Sequence, residues 1–201
     1  SYIIARTNKQ VPIVNLILSG AIVTTLCSAL VTLFFTLKHH DSFSVFFLLM
    51  GSLAEGSWNF IAISGAIVGA GAWACWLYAR QLDIISLGEE KAASLGINVE
   101  RFKLILFAVG SLMVSAAVAA AGTIGFVGLI VPHMARFILG PRNRLMIPCS
   151  ALMGSILLIV SDTLARTIAQ PIEIPVGIIM CIVGAPFFLW LLKTRQKSKY
   201  F

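Results

Sequence analysis

The chain has 201 residues, 59% of them hydrophobic and 11% charged. Ordinary soluble domains are about 25% charged, so these charges are too few to cover a water-exposed surface, and the long continuous apolar runs exclude a β-barrel, whose strands alternate. The net charge of +7 lies in short clusters between apolar runs, not in one patch, which argues against nucleic acid as a partner. What remains is an all-α polytopic membrane protein, with membrane lipid as its surroundings.

In chain order, Arg6 and Lys9 precede a charge-free span over 11–37. It exceeds the roughly 20 residues needed to cross, which implies tilt or an overhanging end. Lys38-His39-His40-Asp41 closes it. The apolar run Phe43–Met50 is too short to cross and breaks at Gly51-Ser52-Leu53-Ala54-Glu55-Gly56-Ser57. It reads as a short interfacial or re-entrant helix, with Trp58 as an interfacial anchor. A second span covers 58–78. Its Gly65-x-x-x-Gly69 is a small-residue face suited to close helix packing. No strand precedes these glycines, so a dinucleotide loop is a poor reading.

Residues 80–103 form the longest polar stretch, RQLDIISLGEEKAASLGINVERFK. Ser86-x-x-Glu89 fits a capping box for a short helix over Leu87–Leu95. Gly96 suits a left-handed terminator, and Asn98 can cap the next helix with Glu100 in its first turn. No charge occurs from Leu104 to Val131, too long for one span. The soft point at Ala119–Gly125 divides it into spans at 103–120 and 124–140, joined by a tight turn. Further spans follow at 146–166 and 176–193. Pro171-Ile172-Glu173-Ile174-Pro175 is a rigid connection between them, and Gly184-Ala185-Pro186 predicts a kink.

Six spans place thirteen of the fifteen Lys and Arg on one side, leaving Lys38 and Arg166 on the other. By the positive-inside rule both ends and the 80–102 loop face the cytoplasm.

The chemistry-bearing residues are few. Asp162 and Arg166 are four apart on one helical face and can pair as an internal tether, with Arg166 near the outer end of its span. Glu173 lies outside between two prolines. Pro132 removes a helix hydrogen bond beside His133 and Arg136. A lone histidine with no second ligand nearby reads as structural, not metal-binding. Cys27, Cys75, Cys149 and Cys181 form no C-x-x-C and read as buried structural thiols. No phosphate loop is present, so ATP hydrolysis by this chain is not expected. Nor do catalytic groups converge for an enzyme. An ion-gradient-driven secondary transporter, the alternative transport class, would want a buried mid-span acid. Asp162 is the candidate, and it sits near a span end.

The stretches GTIGFVGLIVPHMARFILGPRNR and LLIVSDTLARTIAQPIEIPVGIIMCIVGAPFFLWLLK, together with LILSGAIV, LLMGSLAEGSW and LGEEKAASLGI, strongly resemble the FecCD-type permeases of bacterial ABC importers for iron-siderophores, haem and cobalamin. The resemblance covers nearly the whole chain, in family order. It implies a ten-span fold of which this chain matches roughly the last six, so about four family spans have no counterpart here, and SYIIAR matches the end of the fourth span. It further implies a multi-pass protein of the bacterial cytoplasmic membrane. The expected partners are a second permease copy (identical or a close paralogue), two cytoplasmic ATP-binding subunits that use ATP and Mg, and an extracytoplasmic substrate-binding protein. The chain itself would bind no cofactor. In the family the helices matching 11–37 and 176–193 line the substrate path, and 43–54 matches a helix near the pore mouth. The ATPase-docking loop carries over to Ser86, Leu87, Gly88, Glu89, Glu90, Lys91, Ala92, Leu95 and Gly96. Binding-protein docking carries over to Arg166, with Glu173 beside it. Structural or gating roles fall to Pro132, His133, Arg136, Asp162, Pro175, Gly184 and Pro186.

Overall fold

The computed structural model describes residues 13–37, 49–53, 57–168 and 174–197. Among them eight helices follow one another: α1 Ile13–Leu37, α2 Trp58–Leu77, α3 Ala79–Ser86, α4 Glu89–Ser94, α5 Val99–Ala121, α6 Val127–Leu139, α7 Asn143–Ile168 and α8 Val176–Lys197. No strand occurs among the described residues. Three helices, α2, α5 and α7, are long and apolar enough to cross a membrane. Shorter apolar stretches are Gly20–Phe34 of α1, Val127–Leu139 and Val176–Leu189 of α8. Large apolar side chains such as Trp58, Phe137 and Leu152 stand exposed. Water would penalise that surface and lipid does not. The chain is an all-helical integral membrane protein.

The chain divides into two units, Ser1–Phe46 and Phe47–Phe201. In the first, α1 has no charged residue. Three of its threonine hydroxyls are satisfied by the helix itself: Thr24 donates to the Gly20 carbonyl at 2.9 Å, Thr25 to Ala21 at 3.1 Å and Thr32 to Ser28 at 2.9 Å. A hydroxyl in an apolar setting without such a bond would carry a desolvation cost.

In the second unit α2 packs on α5, α6 on α7, and α8 on both α6 and α7. The α2–α5 contact passes through Gly71, whose missing side chain makes room for Met113 and Val109. The packing glycine is therefore not in the Gly65-x-x-x-Gly69 face, where no atom lies within 4 Å of an added Cβ. Gly71 points a different way around the helix, and that direction faces α5. The thiols also depart from expectation: Cys27 and Cys181 are exposed, Cys75 and Cys149 partly so. A helix surrounded by lipid has no need to turn a small apolar thiol inward.

The buried centre consists of Ile130, Ala165, Val176, Ile179 and Met180, with Phe126, Val127 and Leu157 against it. It is organised by a break. The chain from Gly122 to Gly125 is not helical, and α6 begins only at Val127. Its 13 residues span about 20 Å at 1.5 Å per residue, short of the roughly 30 Å apolar thickness. The expected helix over 124–140 is thus shorter, and the non-helical stretch 122–126 precedes it. Such backbone is tolerated at depth only where protein or water meets it. Here Ser52 N–H donates to the Ala121 carbonyl at 2.9 Å, and the Thr123 hydroxyl donates to the Leu49 carbonyl. Phe126 takes φ 65, the one positive value among the described non-glycine residues. That geometry costs about 1–2 kcal/mol for an L-residue. Packing offsets it: a Cβ on Gly184 of α8 would lie 2.5 Å from the Phe126 Cβ. Gly177 sits against the Met50 carbonyl in the same tight way. The re-entrant helix expected over 43–54 falls mostly outside the described residues; Leu49 and Met50 are helical and Gly51 turns the chain at φ 77. α8 runs on through Pro186 as one helix.

Gly177→Ala drives a methyl into the Met50 main chain and is expected to lower stability by about 1–3 kcal/mol, the usual range for overpacking. Gly65→Ala, with open space around it, changes stability by less than about 1 kcal/mol. Unfolding of the two variants in detergent checks this; equal losses would contradict the close contact at Gly177.

Candidate functional site

The polar stretch after α2 folds into an elbow of two short helices. α2 ends at Leu77, Tyr78 leaves helical geometry, and α3 starts at once at Ala79. Sequence reasoning gave no helix there. Ser86 is the last residue of α3, and its hydroxyl donates back to the Asp83 carbonyl at 2.6 Å. The capping box with Glu89 is therefore not formed. Gly88 caps α4 instead, at φ 125, without a side-chain bond. Leu87 and Leu95 flank α4 rather than belonging to it.

α4 stops as its sequence predicts. Gly96 adopts φ 82, its N–H donates to the Ala93 carbonyl at 3.0 Å, and Ile97 N–H donates to Ala92 at 3.1 Å. These two bonds make a Schellman motif. Asn98 Oδ1 then accepts from Arg101 N–H at 3.1 Å and caps α5. Glu89 pairs with Lys103 at 2.5 Å, joining α4 to α5. Both side chains are well exposed, so this pair contributes less than about 1 kcal/mol. Ala92 is fully buried, while Leu87, Gly88, Glu89, Glu90, Lys91, Leu95 and Gly96 are all exposed. The leucines that bracket α4 are 70% and 68% exposed.

The elbow is clamped to the start of α7. Pro148 lies inside α7 and has no N–H, so the Arg144 carbonyl four residues earlier lacks its helical donor. The Trp76 indole N–H fills that vacancy at 3.1 Å. The Arg144 guanidinium returns over the Trp76 ring, 5.4 Å from its centroid, a cation–π contact. At the residue before Arg144, Asp83 Oδ1 accepts from the Asn143 backbone N–H at 2.9 Å and from its Nδ2 at 2.8 Å. The first N–H groups of a helix have no intrahelical acceptor, and a carboxylate there also meets the positive end of the helix dipole. Asp83 thus caps α7 from another helix. Tyr78 completes the joint, edge-on to Phe102 of α5 with centroids 5.8 Å apart. Sequence reasoning picked out Asn143 and Arg144 only as part of a basic turn, and did not single out Trp76 or Asp83. The available signals were a proline five residues into α7 and an aspartate in the loop without a local partner.

The other sequence-derived residues lie apart from the elbow. Asp162 and Arg166 pair at 2.9 Å across one turn of α7, with the arginine exposed. His133 Nδ1 lies 3.0 Å from the Leu129 carbonyl of its own helix, which requires the proton on Nδ1. Pro132 lies one residue before it, and Arg136 is exposed in the last turn of α6, favourable for the dipole. Pro175 is buried just before α8, and Gly184 is buried against Phe126. Pro186 is exposed within α8. Glu173 lies outside the described residues. No three His, Cys, Asp or Glu among the described residues converge as metal ligands.

The model of the FecCD transport family matches residues 1–194. The chain belongs to the FecCD transport family. Among curated FecCD relatives, it is 42% identical to the cobalamin import system permease protein BtuC of Halobacterium salinarum, over 97% of this chain and 52% of the relative. It is 37% identical to the hemin transport system permease protein HmuU of Yersinia pestis, over 92% of this chain and 56% of that one. With the iron(3+)-hydroxamate import system permease protein FhuG of Bacillus subtilis the figures are 40%, 95% and 57%. A solved ABC transporter assigned to the metal-chelate type, in an inward-facing conformation, superposes with a TM-score of 0.80 at 31% identity, covering 90% of this chain and 59% of that one. This FecCD chain spans about half the length of the curated relatives it matches.

Asp83→Ala removes two hydrogen bonds to a charged acceptor and is expected to cost about 1.5–3 kcal/mol. Lys103→Ala, on the exposed pair, costs less than about 1 kcal/mol. Comparative unfolding of the two variants tests whether the α3–α7 cap outweighs the α4–α5 ion pair; the reverse order would contradict the clamp.

Proposed function

We propose that the chain is a permease subunit of a binding-protein-dependent ABC importer that moves a bulky chelate across the bacterial cytoplasmic membrane: a ferric siderophore, haem or cobalamin. The observation that carries this reading is the α4 element. It is a six-residue helix, exposed except at Ala92, with exposed leucines at both ends and a rigid joint on each side. An exposed leucine pair on a short, anchored helix suits a protein partner more than water. In this reading the partner is a cytoplasmic ATPase that uses ATP and Mg, and its closure pushes α4.

The elbow converts that push into motion of whole helices. The Schellman turn and the Asn98 cap pass it to α5, and the Trp76–Arg144 and Asp83–Asn143 contacts pass it to α2 and α7. The chain does no covalent chemistry here; it binds, tilts and changes access. At the other end Arg166 is exposed and held in place by Asp162. It offers its remaining donors to a carboxylate on an extracytoplasmic binding protein. A second permease copy completes the substrate path. The relatives named for cobalamin, hemin and iron-hydroxamate transport support the chelate class. An ion-gradient carrier would need a mid-span acid free to take a proton, and Asp162 is neutralised by Arg166 one turn away.

Glu90→Arg reverses an exposed charge on α4 without touching the core, and Gly88→Val strains a cap that requires φ 125. In the assembled transporter both are expected to leave ATP hydrolysis within about twofold while uptake falls at least tenfold. Uptake and hydrolysis that change in parallel would place the ATPase contact elsewhere.

A further inference from the structure

We propose that the notch between the end of α2 and the start of α7 is a binding site for the phosphate of an anionic phospholipid. The notch has a volume of about 290 Å³ and is lined by Trp76, Leu77, Ala79, Arg80 and Arg144. Trp76 and Leu77 are the last two residues of a helix long and apolar enough to cross the membrane, and Arg144 is the second residue of another. The notch therefore opens at the level where apolar core gives way to headgroups, the level at which tryptophan rings settle.

Its chemistry is that of a phosphate cradle with an apolar floor. Two arginines, Arg80 and Arg144, line it from different helices. Neither takes part in the two ion pairs found among the described residues. Asp83, the carboxylate on the same short helix as Arg80, has Oδ1 turned to Asn143. Arg142 adds a further exposed positive charge on the turn before α7. Arginine presents a planar fork of donors that matches phosphate oxygens. The Trp76 ring cannot swing aside, because its N–H is fixed on the Arg144 carbonyl. It holds Arg144 over its face at 5.4 Å. Below it, Trp73 lies one turn deeper with ring centroids 5.4 Å apart. Trp73 and Leu77 are 63% and 57% exposed, an apolar wall for the acyl chains beneath the headgroup.

Position favours a lipid over an acidic protein segment. The notch adjoins the exposed apolar side chains of Trp73 and Leu77 at the end of a helix long enough to span, a surface suited to acyl chains and not to an acidic peptide. Basic pockets between spans on the arginine-rich side are established traps for such headgroups. An occupant would bridge α3 and α7 at the same joint as Asp83–Asn143, so anionic lipid would stiffen the elbow.

Native mass spectrometry of the detergent-purified protein tests this, with phosphatidylglycerol and phosphatidylcholine of identical acyl chains added in equal amounts. The wild-type protein is expected to retain phosphatidylglycerol about thirtyfold better, from two arginines of ordinary strength near an anionic headgroup. Arg80→Gln with Arg144→Gln should bring the two lipids to parity, and Arg80→Lys with Arg144→Lys should keep most of the preference. A second readout needs no variant: brominated phosphatidylglycerol should quench tryptophan fluorescence more than brominated phosphatidylcholine. Equal retention and equal quenching by wild type would overturn the proposal, as would a preference that survives the glutamine pair. Displacement of phosphatidylglycerol by millimolar inorganic phosphate would overturn the lipid assignment and make the notch a free-phosphate site.

Discussion

A helix with a proline inside it leaves one carbonyl without a donor, and the arginine-rich end of this molecule is built around one such carbonyl. Pro148 strips the Arg144 carbonyl, and the Trp76 indole satisfies it from another helix. That bond fixes where α2 ends relative to α7. It sets the depth of the tryptophan, and through Arg144 it sets where a guanidinium stands. Asp83 then closes the second orphan group of the same helix end, the Asn143 N–H. Two backbone vacancies, each filled by a side chain from elsewhere in the chain, turn a flexible connection into a joint. The coupling role proposed for α4 depends on that joint, because a push on a loose loop is absorbed locally.

The opposite end follows the same rule with different means. The chain leaves helix at Gly122 and re-enters at Val127, and its polar groups find partners on residues 49–52. Close approach replaces ordinary side-chain packing at Gly177 and Gly184. Phe126 occupies backbone geometry normally left to glycine because Gly184 gives its ring room. Strain at one residue and absence of a side chain at another are one feature viewed from two helices. A short α6 follows, and with it the buried centre around Ile130, Ala165 and Met180.

Much of this was legible in the sequence. The charge-free runs mark each apolar helix, since in lipid a helix must satisfy its own backbone and cannot carry unpaired charge. Gly96 and Asn98 were readable as stop and start because their chemistry is local, within three residues of the groups they satisfy. Where a reading failed, the competing partner was close in space and not singled out. Ser86 and Glu89 match a capping box in spacing, yet Asp83 claims the serine and Lys103 the glutamate. Gly65 and Gly69 match a packing motif, but the neighbouring helix faces Gly71. The clamp joins residues 60 and 68 positions apart, and no local spacing encodes such a pair. Phe126 was invisible for a further reason: in GTIGF the glycines are the expected hosts of positive φ, and tertiary packing placed it on the phenylalanine.

In the proposed function, α4 is the contact through which a partner ATPase moves this chain. Affinity capture of the tagged protein from mild detergent, with mass spectrometry of what comes with it, tests that contact. An ATP-binding subunit is expected in the wild-type capture and is lost when Leu87 and Leu95 are both replaced by Asp, while the chain itself is recovered in equal amount. An ATP-binding subunit that stays bound to the doubly substituted chain would contradict the claim, as would a wild-type capture that brings down no such subunit.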